Sequence, residues 1–393
     1  MAAFDVVIVG GGVVGSAVAY HLMADPAFKG TVAVIERDPL YTMASSSLST
    51  SAIRQQFGTA PNIAMSAYSI EFLRRVRTLL AVDGHEADIA LREPGYLILG
   101  TPDQVGSFEA RHAVQLACGV RTELLDVYQL RRRFPWLNTD GLEIGSHGLD
   151  GEGWFDGPAL LQAFRRKARA LGVQYVSDEA VAIQRHEGAI AAVELRRAGR
   201  IGCGTVVNAA GPWSGAVARM AGLELPIVPR KRCVFVIDSP AELNGPMAMP
   251  FVFDPSGFFV RPEGRLYICG APPPVENAND DFGLEVDHAL FDEVIWPALA
   301  NRVPGFERLR QLRAWAGLYE HNLFDHSAVI GRHPDVPNFV FACGFSGHGM
   351  MHSPAAGAAT SELIVHGEAR SVDIGAFGFE RIAAGRPIEE HVF

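Results

Sequence analysis

Six residues near the start constrain this chain more than any others. Gly10-Gly-Gly12-Val-Val-Gly15 follows a continuous β-branched run over residues 4–9 and precedes a segment of helical character from Gly12 to about Ala24. A second buried strand is expected over Thr31–Glu36, so residues 4–36 read as one βαβ unit. In that setting Gly10 permits a tight turn, Gly12 lets backbone approach a pyrophosphate, and Gly15 lets helix and strand pack closely. Phosphates would sit against Val13 and Val14 at the helix N-terminus, where unpaired N–H groups and the dipole favour anions. Glu36 ends the second strand, and its carboxylate can accept both ribose hydroxyl protons of an adenosine. The same carboxylate disfavours a 2′-phosphate, so a dinucleotide is expected and NADP is not.

The stretch Val6–Ala24 is also long enough to span a membrane. Asp5 precedes it in place of a basic flank, and Gly10, Gly11, Gly12 and Gly15 interrupt it. It therefore reads as strand, turn and helix rather than signal peptide or span. The expectation is a cytoplasmic protein with no transmembrane segment, peripheral membrane contact remaining open. A net charge of −10 argues against nucleic acid as a partner, and 48% apolar with 20% charged residues excludes a disordered chain. Five scattered cysteines without a C-x-x-C pair point to a reducing compartment and no metal site.

Further along, helices are expected at Pro61–Val82, Phe108–Ala117, Asp126–Phe134 and Asp287–Ala300, and one from Asp156-Gly-Pro158 to Leu171, ended by Gly172. Strands are expected at Tyr96–Leu99, Gln174–Val176, Ala191–Leu195 and Thr205–Asn208, through Ile227–Cys269, and at Asn338–Cys343 before a last helix reaching His366. Glycine-rich turns at both ends suggest one domain assembled from separated segments.

Three more motifs carry chemistry. Val206-Val-Asn208-Ala209-Ala210-Gly211-Pro212-Trp213 is an apolar strand ending in small residues, which allows close approach of a bulky ligand or of another backbone. Gly344-Phe345-Ser346-Gly347-His348-Gly349, followed by Met350, points several N–H groups and a helix N-terminus at one spot. A flavin needs such donors, because its reduced ring carries negative charge near N1 and the C2 carbonyl. The run Ala44-Ser45-Ser46-Ser47-Leu48-Ser49-Thr50-Ser51 supplies small hydroxyl groups for phosphates and ring edges. Arg54 closes it with a guanidinium suited to a carboxylate.

Together the four motifs, in this order, resemble the D-amino-acid oxidase superfamily of FAD-dependent oxidoreductases, over about residues 4–366. The likeness is greatest to the branch with sarcosine oxidase, glycine oxidase and D-amino-acid dehydrogenases. The resemblance implies an α/β protein: a Rossmann-type FAD-binding domain with a second α+β substrate domain built on a large mixed sheet. Residues 1–85, 156–226 and 326–370 would form the first domain, 86–155 and 227–325 the second, and 371–393 a tail. It implies oxidation of the C–N bond of an amino acid or N-methyl amino acid, with O2 or a quinone or carrier as electron acceptor.

By resemblance Arg54 anchors the substrate carboxylate, Tyr319 and His348 shape the pocket, and Arg261 lies close to a basic position at the flavin face. A one-residue shift would turn Arg261 to the other side of its strand. Arg232 is a further candidate anchor. Arg37, Val181, Ala210 and Gly317 join the cofactor contacts. Gly317 replaces the cysteine that links flavin to sarcosine oxidase, and no histidine stands in Ser46–Ala52, so FAD is expected to be non-covalent. Met351 replaces a lysine of the sarcosine oxidase clamp. The tail, with Gly385-Arg-Pro-Ile-Glu-Glu, is similar to a bacterial subgroup related to the FAD-dependent assembly factor of respiratory complex I. A structural FAD in an assembly factor is thus the alternative.

Overall fold

The computed structural model describes residues 3–240, 243 and 249–390. Two eight-stranded sheets organise it. The first runs Val329–His333, Val336–Cys343, Gly199–Asn208, Ala3–Val9, Val32–Glu36, Gln174–Ser177, with the hairpin Ala180–His186/Ala189–Leu195 added beside Gly199–Asn208. Its central pairs are parallel, with Val6 opposite Val32 on one side and Thr205 on the other. Such strands are covered on both faces, which is why they are continuous runs of Val, Ile and Phe. Val6 and Ile8 pack with the helices Val13–Ala24, Gly157–Ala170 and Gly349–His366, while Val7 and Val9 pack with Val217 and Ala218 of the helix Ser214–Met220.

Small residues decide how closely these layers approach. Gly10 has φ +102°, and a Cβ there would fall 2.3 Å from the Ala209 carbonyl oxygen. A Cβ on Gly15 would fall 2.0 Å from the Gly10 carbonyl oxygen, so this helix can start against the strand only with glycine. Asp156 caps its helix by accepting the Ala159 N–H at 2.8 Å, one residue after Pro158, which needs no partner there.

The second sheet runs Arg310–Asn322, Ile227–Asp238, Leu266–Gly270, Phe259–Glu263, Phe251–Phe253, Tyr96–Gly100, Ile144–Gly148, Thr122–Asp126. All neighbours are antiparallel except Tyr96–Gly100 with Phe251–Phe253. One face buries Leu97, Phe235 and Val252 under the segment Leu290–Arg302. The other turns Tyr96, Phe251, Phe253 and Phe259 toward the loops of the first sheet. Ser45 Oγ donates to the Leu318 carbonyl at 2.6 Å and Trp315 Nε1 to the Leu48 carbonyl at 2.9 Å, joining the two halves.

Two expected helices differ. Asp287–Ala300 begins as a wide π-turn over Leu290–Ile295 before the α-helix Trp296–Arg302; Pro297 has no N–H to give the turn before it. Pro61–Val82 breaks at Arg75 into Ala60–Arg74 and Val76–Leu79. Among the described residues no helix is long and apolar enough to cross a membrane.

Candidate active site

A cavity of about 820 Å³ runs between the sheets, from the Glu36 strand end to Arg54. At its first end lie Ile35, Glu36, Arg37, Asp178, Ala180 and Trp213. Glu36 Oε2 accepts the Gly11 N–H and Oε1 the Asp38 N–H, both at 2.8 Å, leaving acceptor positions on each oxygen. Burial pushes its carboxyl up against the lowering effect of those bonds. The Arg37 guanidinium lies 3.8 Å over the Trp213 ring, which stacks on Phe282 at 5.1 Å. Val181 falls outside the lining, and its side chain is 40% exposed. Strand alternation sends residue 181 outward and leaves Ala180 at the cavity.

In the middle, Gly10, Gly12, Val13, Val14, Ala44, Ser45, Ser46, Ala209, Ala210 and Gly211 line the space. Ser46 Oγ accepts the Val13 N–H at 2.9 Å. Gly15, Ser47 and Ser51 are not in the lining; Ser51 packs instead against Gly157. From the last turn, Ser346, Gly347, His348, Gly349 and Met350 reach the cavity, with Met351 behind. Gly344 does not line it: its N–H goes to Glu320 Oε2 at 2.8 Å. Phe345 is turned into the core.

At the far end Arg54 is buried, its Nη1 donating to the Gln56 carbonyl at 3.1 Å and its guanidinium 4.3 Å over Phe57. Nη2 meets His348 Nε2 at 2.9 Å. Arginine only donates, so Nε2 is the acceptor and the ring proton sits on Nδ1. Burial holds His348 well below its usual range, with the Arg54 charge acting in the same direction, and the ring is neutral. Tyr319 and Gly317 line the same end, and a Cβ on Gly347 would fall 2.6 Å from the Tyr319 ring. Burial raises the Tyr319 hydroxyl, partly offset by Arg232 and Arg54.

Arg261 is not in this end of the cavity. It shares a strand face with Phe259 but lies two residues beyond it, its Nη2 on the Thr50 carbonyl at 2.9 Å and Nη1 paired with Glu263. Arg232 does line the cavity, and both its terminal nitrogens bond Glu276, at 2.8 and 2.6 Å.

The sequence reading missed several contributors. Tyr96 stacks on Phe251 at 4.5 Å, and with Phe253 and Phe259 they form an aromatic wall. Their period-two spacing over 251–253 and 259 was the available signal. Glu152, buried and pushed up to about 7 by burial, accepts the Gln55 and Gln56 N–H groups at 2.6 and 3.0 Å and so fixes the loop that carries Arg54. Nothing local in Gly151-Glu-Gly153 announces that role.

The donor set fits a flavin dinucleotide. The helices starting at Val13 and Gly349 both open onto this cavity, and in neither does the side chain of the N-cap residue cover the first amides. Two positive helix ends suit one elongated ligand with phosphates at one point and an electron-rich ring at another. Glu36, with acceptor positions left over, would suit a ribose at the matching end.

Comparison with known proteins agrees. The family described as FAD dependent oxidoreductase (DAO) matches residues 5–363. The chain is 41% identical to FAD-dependent oxidoreductase domain-containing protein 1 of Xenopus laevis, covering 98% of this chain and 84% of that one. It is 26% identical to glycine oxidase of Bacillus licheniformis, over 96% and 97%. The solved L-proline dehydrogenase from P. horikoshii superimposes with TM-score 0.86 at 25% identity, over 98% and 100%. The chain belongs to the DAO family of FAD-dependent oxidoreductases, and its cofactor is FAD.

Proposed function

We propose that this flavoprotein oxidises the C–N bond of an amino acid or N-methyl amino acid, with Arg54 as carboxylate anchor. The observation that carries the reading is the buried Arg54 guanidinium in a cavity that Tyr96, Phe251, Phe253 and Phe259 wall on one side. Such a site binds an anion in an apolar setting, where a charge-assisted pair is worth most. Related proteins named for glycine and proline oxidation support the substrate class.

Bound FAD supplies a two-electron acceptor for hydride from the substrate α-carbon. The chain's own residues orient the substrate. Arg54 fixes the carboxylate, His348 holds Arg54 through a neutral nitrogen, and the Tyr319 ring packs against Gly347 to close one side. The aromatic wall excludes water and accepts the side chain or N-substituent. A neutral His348 and a protonated Tyr319 offer no anion to an ammonium, and the apolar wall penalises its charge, which favours the amine without its extra proton. Gly317 leaves no side chain for a covalent link, so the FAD is held by contacts alone. Met351 offers no charge, and O2 or a quinone or carrier takes the electrons.

Anaerobic mixing of the yellow protein with a panel of secondary, D- and L-amino acids tests the reading. Bleaching by at least one, lost in Arg54→Ala, is the expected result. No bleaching by any would overturn it and favour an assembly factor with a structural FAD.

A further inference from the structure

We propose that Glu320 takes up a proton when the flavin is reduced, so that the protein's redox potential is tied to pH through this carboxylate. The inference rests on the reading that the redox ring lies along the turn 344–349, and it does not depend on which amine is oxidised.

Glu320 sits on the strand Arg310–Asn322, directly after Tyr319, and lines the cavity. Its Oε2 accepts the Gly344 N–H at 2.8 Å, and the Phe345 N–H also bonds the carboxylate. Its Oε1 stands 3.1 Å from the position of a Cβ on Gly349, the first residue of the long last helix. The carboxylate thus occupies the positive end of that helix, beside the amides that would face a ring developing negative charge. Among the described residues its recorded partners are backbone amides, and none is a cation.

The titratable and charged groups around it are few. Tyr319 and His321 flank it on its own strand, and Arg230 comes from the neighbouring strand Ile227–Asp238. Cys343 precedes the turn, and its thiol is raised by burial and then by Glu320 itself. His348 belongs to the turn itself, while His326 and Asp325 come from the loop after the strand, Asp325 paired with Arg381 of the helix Glu380–Ala383. Burial alone pushes Glu320 up to about 7, against the two amide bonds. The single negative charge of a reduced ring, within a medium that screens poorly, would move it further the same way.

The balance is simple. Two electrons and one proton go to the flavin, and a second proton from solvent ends on the Glu320 carboxylate. Neither a further oxidant nor a further reductant is needed.

The test uses the holoprotein and no amine. Its potential is measured against a reference dye during chemical reduction at a series of pH values above neutrality. Wild type is expected to take two protons per electron pair and Glu320→Gln one, with the flavin content of the two alike. Equal proton numbers in the two proteins would overturn the proposal, even if amine oxidation holds. Loss of amine oxidation with this difference intact would instead sink only the substrate reading. Should the variant lose FAD, the wild-type reduced-minus-oxidised infrared difference decides. A new carboxylic-acid C=O band that persists in Glu152→Gln is expected, and its absence overturns the assignment.

Discussion

Single atoms separate binding from folding in the first turn. An alanine at Gly15 would put its Cβ 2.0 Å from a backbone oxygen, which has no rotamer to move. An alanine at Gly12 meets only Ser46 Oγ at 3.2 Å, a side-chain atom that can turn away. Gly15→Ala is therefore expected to lower both the melting temperature and FAD content, whereas Gly12→Ala keeps the fold and weakens FAD by crowding the pyrophosphate. Thermal melting of the two apoproteins, compared with flavin content, separates the cases; equal melting losses would contradict the distinction. At the other end, Arg54→Lys keeps the charge and loses the planar fork. One charge-assisted hydrogen bond is worth about 1.5–3 kcal/mol, so affinity for a carboxylate ligand should fall roughly 10- to 100-fold. The perturbation of the flavin spectrum by that ligand measures it, and unchanged affinity would remove Arg54 from the anchor role.

The elements that hold Arg54 include one from the far end of the chain. Glu390 accepts the Gly58 N–H at 2.7 Å, the Thr59 hydroxyl at 2.6 Å and Asn62 Nδ2 at 3.0 Å. A carboxylate thereby lies at the positive end of the helix Ala60–Arg74 and holds its N-cap Thr59 and first-turn Asn62, just after the loop that carries Arg54 and Phe57. Glu390→Ala should cost about 1–2 kcal/mol, as loss of a helix cap does, and weaken carboxylate binding while FAD stays bound. Denaturant melts and ligand titration together check it; a stability change without a ligand effect would confine Glu390 to capping. The sequence disclosed the βαβ start because β-branched runs and glycine spacing are local signals. The strand Arg310–Asn322 was not legible, since its burial does not alternate and its first half carries Arg310, Gln311 and Arg313. Ile144–Gly148 hid for a different reason: Gly-Ser-His-Gly has no strand propensity, and pairing on both sides supplies what propensity lacks. Arg261 shows the limit at the site. A strand face can be read from parity, but the distance along it to the cavity needs the fold.

Across the whole molecule, buried histidines and buried carboxyls pull the pH dependence of stability in opposite directions. Burial holds His21, His147 and His321 to about 4, His352 to about 3 and His348 well below its usual range. A histidine with a lowered folded pKa keeps its full contribution above the unfolded value of about 6.5 and loses it as pH falls, because the unfolded chain binds the proton first. Glu152 and Glu320, raised to about 7, have the reverse sign: the folded state binds their protons first, so they favour the fold as pH falls toward the unfolded value of about 4.5. More histidines than carboxyls are shifted, so the unfolded state binds the surplus of protons between about pH 4.5 and 6.5. Each proton of that surplus is a loss of about 1.4 kcal/mol per pH unit. The surface carboxylates behind the net charge of −10 keep their charge over most of this window, so their repulsion does not mask it. His352, which bonds Ser66 Oγ at 3.0 Å, is the place to intervene, because glutamine can keep that bond and cannot titrate. With FAD saturating, the melting temperature of wild type should fall steadily from pH 6.5 to 5, and that of His352→Gln should fall less steeply. A wild-type curve that is flat or rises toward acid would mean that the buried carboxyls outweigh the histidines.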